Sequence, residues 1–151
     1  LFIDMNSISF CSVETLNRFK NFELLKEFID KKQKEVAEHN ETNNIDTSEV
    51  INGRRLTNIG TFRKYIEAYL RNNTNIHNEM TFLVRQLDPT EKGLPIQIYV
   101  FSNDIDWIRY EEIQSDIFDH LLAVIPEFGL KIFQSPSGKD FEELGQKVAS
   151  V

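Results

Sequence analysis

One cysteine, Cys11, is present in 151 residues. No disulfide can form within the chain, and a lone thiol fits a reducing compartment. Long apolar runs are also missing. The longest, Ile98–Phe101 and Leu121–Ile125, fall far short of the ~20 residues that cross a bilayer. Histidine is scarce: His39, His77 and His120 lie far apart, and none has a second ligand at metal spacing. The six glycines are scattered, so no loop is built to cradle phosphate. Cations are outnumbered, 17 Lys and Arg against 24 Asp and Glu, for a net charge of −7. Holding a phosphate backbone needs a basic face. Only Arg54-Arg55 stands clear of neighbouring acids, so the composition argues against a nucleic-acid partner.

What is abundant is apolar and aromatic. Hydrophobic residues make up 40% of the chain, with 12 Phe, against 27% charged. That balance describes a globular chain long enough for one cored domain. The clearest stretch runs from Thr81 to Pro136. Thr81–Leu87 reads as a strand, Asp88–Gly93 as a turn, and Leu94–Phe101 as a second strand. In the latter Ile96, Ile98 and Val100 alternate with Gln97, Tyr99 and Phe101, a period of two that leaves one face buried. Ser102–Asp106 offers capping chemistry for a helix reaching Phe128, with Tyr110, Ile113, Ile117, Leu121, Val124 and Phe128 on one stripe. Gly129 suits a left-handed cap. Leu130–Phe133 reads as a last strand, broken by Ser135–Gly138.

Upstream, Leu1–Phe10 reads as a strand entered midway, which suggests a piece of a longer polypeptide. Ser12 can cap one amphipathic helix through Val13, Leu16, Phe19, Leu25, Phe28, Ile29 and Val36. Its charged far half is held by pairs such as Glu27 with Lys31. Residues 41–58 form an inserted loop, with Asn52-Gly53 signalling a small hairpin. Arg54 and Arg55 read as surface ion-pair partners. Thr57-Asn58 caps a helix through Ile59, Phe62, Ile66, Tyr69 and Leu70. The order is β–α(insert–α)–β–β–α–β. The fold expected is α+β, a ferredoxin-like two-layer sandwich (βαββαβ) with a long helical insertion in the first crossover. One domain spans 1–138. The tail 139–151 carries Phe141, Leu144 and Val148 at helical spacing.

No catalytic, cofactor-binding or metal residue can be nominated. Asp104 and Asp106 precede a helix, where capping accounts for both. Cys11 has no nearby His to activate it and reads as a small buried thiol. His120 reads as a packing or surface residue. Trp107 divides evenly between core and interface. With Tyr99 and Phe101 it forms the candidate subunit interface, because aromatic side chains are enriched where proteins meet.

Several segments together resemble one family. They are Ile3–Cys11, Asn52–Arg63, Asn78–Leu87, Gly93–Phe101, Trp107, Ile113–His120 and Phe128–Ser137. In order, they are similar to the cytoplasmic C-terminal region of bacterial mechanosensitive channels of small conductance, and most of all to the miniconductance branch. The resemblance implies a parent protein in the bacterial inner membrane. There a ring of subunits, usually seven, encloses a hollow vestibule on the cytoplasmic side, and the channel opens on tension during hypo-osmotic shock. It implies a homo-oligomer, no cofactor and no enzyme activity. The pore helices lie outside this stretch. A small-molecule-sensing module is the alternative for such a fold. An acylphosphatase-like enzyme is disfavoured, since Leu1–Cys11 contains no Arg for an anion loop.

Overall fold

The computed structural model describes residues 1–138. The tail 139–151, with its expected helical spacing, lies outside them. Seven elements follow in order: β1 (Phe2–Ile3), α1 (Val13–Phe19), α2 (Lys26–Thr42), α3 (Asn58–Asn72), β2 (Leu83–Gln86), β3 (Leu94–Tyr99) and α4 (Trp107–Val124). Short 3-10 turns cover Met5–Ser7 and Ile125–Phe128. The chain is α+β, with an antiparallel sheet ordered β1-β3-β2. Phe2 pairs with Pro95, and Val84 with Ile98.

Two expected strands are much shorter than their sequence suggests. Leu1–Phe10 gives a two-residue β1, because Asp4 accepts a hydrogen bond from the Asn6 amide and starts a 3-10 turn. Leu130–Phe133 is no continuous strand. It meets β1 through one antiparallel bridge, Ile3 to Ile132. The Asp4 amide donates to Lys131 O at 2.8 Å, and the Phe133 amide to Phe2 O at 2.9 Å.

The single helix expected from Val13 to Val36 is two. From Phe19 to Leu25 is six residues, which on one helix would turn Leu25 about 120° away from Phe19. The turn between α1 and α2 resets that phase, and Phe19, Leu25 and Ile29 all become fully buried. Ser12 caps α1 as expected, accepting from the Thr15 amide. The Glu27–Lys31 pair gives way to Lys32–Glu35 and Lys20–Asp30.

The Asn52-Gly53 hairpin is also absent. Gly53 does turn with φ +72, but no strands flank it. Instead the Asn40 side chain clasps Arg54, accepting from its amide at 2.8 Å and donating to its carbonyl at 3.1 Å. Arg55 donates to the carbonyls of Thr47 and Glu49 rather than pairing with an acid. The 41–58 loop is thus held by backbone carbonyls and one amide side chain.

Ile3, Val84 and Ile96 from the sheet join Phe19, Phe62, Ile66, Leu121 and Phe128 in one core. Phe128 is its hub, with ring centroids 5.0 Å from Phe19, 5.1 Å from Phe62 and 5.4 Å from Tyr65. Gly129 carries φ +66, the left-handed cap that turns the chain toward β1.

Candidate interaction face

Helix α4 begins where Asp106 accepts from the Arg109 amide at 2.9 Å. Its stripe Ile113, Ile117 and Leu121 is buried as expected. Tyr110 on the same stripe is not, and it opens a second apolar row at spacings of four: Tyr110, Gln114, Phe118 and Leu122. The three apolar members of this row are exposed. Just ahead, Ile105 is fully exposed, and Trp107 and Ile108 are 71% and 70% exposed. The helix therefore carries more apolar surface than its own domain covers.

Between α4 and β3 lies a cavity of about 450 Å³. Ile96 and Ile98 border it from the sheet, Ile113, Ile117 and Phe118 from the helix. This corrects one expectation. The alternation puts Ile96, Ile98 and Val100 on one face expected to be buried; only Ile96 is, at 2% exposure, and Ile98 and Val100 are half-buried. Helix α4 is anchored at its far end, where Leu121, Ile125 and Phe128 enter the core.

A ring cluster pins the middle of α4 to α3. The Tyr65 hydroxyl and His120 Nε2 are 2.7 Å apart. The His120 ring stacks on Tyr69, centroids 4.1 Å apart. Burial raises the Tyr65 hydroxyl above its usual range, with a smaller push from Tyr69. Burial also raises Tyr69, assisted by the charge of Asp116. These contacts pack α4 onto α3. Cys11 is half-buried. Burial raises its thiol, partly opposed by a hydrogen bond with Thr61, which keeps it protonated and unreactive at neutral pH. Among the described residues no three His, Cys, Asp or Glu converge to hold a metal, and no helix is long and apolar enough to cross a membrane.

Of the three nominated interface residues, Tyr99 and Phe101 meet edge to face with centroids 5.4 Å apart. Trp107 stacks on Tyr110 instead, at 5.8 Å. Of the three, Tyr99 borders the cavity, while Phe101 and Trp107 do not; each instead packs against a lining residue, Tyr99 and Tyr110. Sequence reading missed Ile105, Ile108, Phe118 and Leu122. The spacing of 110, 114, 118 and 122 was available, but it ran beside a stronger core stripe.

Residues 56–132, just over half of the chain, match the family model described as mechanosensitive ion channel MscS, C-terminal. The chain belongs to that family. The match runs from the residue before the α3 cap to the bridge at Ile132 and so includes the whole α4 face. No solved structure matches the chain.

Proposed function

We propose that this chain forms part of the cytoplasmic vestibule wall of a tension-gated channel that opens on hypo-osmotic shock. The family match over residues 56–132 carries this reading. The parent sits in a bacterial inner membrane as a homo-oligomer, a heptamer by the resemblance, and is closest to the miniconductance branch. We assign the domain a ferredoxin-like plan, supported by the order β1-β3-β2 with Ile132 bridging the free side of β1.

Tyr99, Phe101 and Trp107, extended by Ile105 and Ile108, form the contact between neighbouring subunits. The exposure of Tyr99, Ile105, Trp107 and Ile108 supports this, because aromatic and aliphatic side chains left in water gain free energy when a neighbour covers them. Native mass spectrometry of the detergent-solubilised parent tests the assignment. Trp107→Asp and Ile108→Asp should each lower the fraction of intact ring, while Glu38→Lys on exposed α2 leaves it unchanged. Rings that survive both aspartates would place the subunit contact elsewhere.

A further inference from the structure

Asn52-Gly53 turns the loop between α2 and α3 without forming a hairpin, and the pair itself is held by little. The Asn52 backbone amide donates to Glu49 O at 3.1 Å. Among the described residues, neither the Asn52 side-chain amide nor the Gly53 N–H has a hydrogen bond. The loop tip lies in water, with Val50 exposed and Ile51 83% exposed. Gly53 has φ +72 and places no Cβ between its nitrogen and the Asn52 side chain. No other asparagine of the chain precedes a glycine. Asn6-Ser7 shows the contrast. There Asn6 Nδ2 donates to Asp4 Oδ1 at 3.1 Å, and the Ser7 amide donates to Asp4 O at 3.0 Å. Asn103-Asp104 is engaged in the same way, with Asn103 Nδ2 on Thr74 O and the Asp104 amide on Ser102 Oγ.

We propose that Asn52 is a site of spontaneous deamidation through a cyclic imide, and that the isoaspartate it yields frees the 41–58 loop from α2. Base removes the Gly53 N–H proton, and that nitrogen attacks Asn52 Cγ. The Cγ–Nδ2 bond breaks, and Nδ2 takes up a proton and leaves as ammonia. Water then opens the imide at either carbonyl. Opening at Cγ gives aspartate. Opening at the backbone carbonyl gives isoaspartate, whose main chain runs through Cβ and Cγ and is one carbon longer. Water is the only co-reactant, no oxidation occurs, and either product adds one negative charge. The place of the added carbon matters because the neighbouring chain is pinned. Asn40 accepts from the Arg54 amide at 2.8 Å and donates to the Arg54 carbonyl at 3.1 Å. Gly53 passes so close to this side chain that a Cβ on it would lie 2.6 Å from Asn40 Oδ1. A main chain lengthened just before Gly53 shifts that close approach, and the two hydrogen bonds between Asn40 and Arg54 open. Aspartate keeps the length of the main chain and therefore keeps the clasp.

Peptide mapping by mass spectrometry tests the site on the folded 151-residue chain held at mildly alkaline pH. The replacement of NH by O should appear at Asn52 several-fold faster than at Asn6 or Asn103, and faster as pH rises. An isoaspartate-specific carboxyl methyltransferase should label the incubated chain and leave Asn52→Gln, whose longer side chain closes the ring poorly, almost unlabelled. Asn52 intact after Asn6 has converted, or conversion that begins only when urea unfolds the chain, overturns the site. Hydrogen exchange tests the consequence. The Arg54 amide should exchange several-fold faster in the isoaspartate form than in Asn52→Asp, which carries the same charge on a normal main chain. Equal exchange in the two forms overturns the release of the loop. None of these outcomes depends on whether the parent gates on tension.

Discussion

Asn58 shows how one polar side chain fixes two segments far apart in sequence. It is 3% exposed. Its Oδ1 accepts from the Ser9 amide at 3.0 Å, and its Nδ2 donates to Ser7 O at 2.8 Å. Asn58→Ala strands both partners, and chemical denaturation should show a loss of about 2–3 kcal/mol. Sequence reading gave Asn58 only a capping role, because partners some 50 residues away leave no local pattern. Ile98 is the opposite case. Its alternation puts it on the face expected to be buried, but it borders a space already open. Ile98→Ala should therefore cost about 1 kcal/mol. Phe128→Ala, at the hub of the aromatic core, should cost about 3–5 kcal/mol. Equal losses at the two sites in the same denaturation series would contradict the packing described. The tyrosines make a prediction about alkaline pH. Tyr65 and Tyr69 have hydroxyls raised by burial in the folded chain. Their contribution is complete below the unfolded tyrosine pKa of about 10 and is lost as pH rises through the folded value. The fall in unfolding free energy between neutral and strongly alkaline pH should be shallower in the Tyr65→Phe, Tyr69→Phe double variant. An identical fall would remove these two groups from the alkaline transition.

At the level of elements, turns decide what periodicity alone leaves open. Helices α3 and α4 were legible because each combines a cap with an uninterrupted stripe. Thr57 accepts from the Gly60 amide at 3.1 Å, and Asp106 does the same for Arg109. The α1–α2 break was legible only as a phase error of six residues, easily absorbed into one long amphipathic run. The exposed apolar row on α4 was hidden because core and surface apolar residues look alike in sequence. Glycine separates two kinds of turn. Gly93 has φ +91, and a side chain there would meet the Ile3 carbonyl. Gly129 has φ +66 with open space around it. Gly93→Ala should therefore cost more, about 2–3 kcal/mol, than Gly129→Ala, about 1 kcal/mol. Thermal unfolding of the two variants checks the order, and a reversed ranking would mean β1 does not pass as closely over the β2–β3 turn as described.

For the whole molecule, family membership and an uncovered apolar face support the proposed vestibule wall. The acids of that wall are distributed over α2 and α4, and part of their charge is answered locally by Lys20, Lys32 and Arg109. In the proposed vestibule, exposed acids such as Glu111, Asp116 and Asp119 would give the wall a negative field that concentrates cations. Salt weakens it, because the screening length is ~8 Å at physiological ionic strength. Reversing these three acids in the parent should shift the cation/anion permeability ratio toward anions at low salt and much less at high salt. An unchanged ratio at low salt would leave the domain a purely structural role. The most direct measurement of the central claim is a patch recording from cells lacking other tension-gated channels and carrying the full-length parent. Suction should evoke discrete channel currents before the membrane ruptures, and Trp107→Asp should abolish them. A parent that is assembled in the membrane yet passes no current up to rupture would contradict the account.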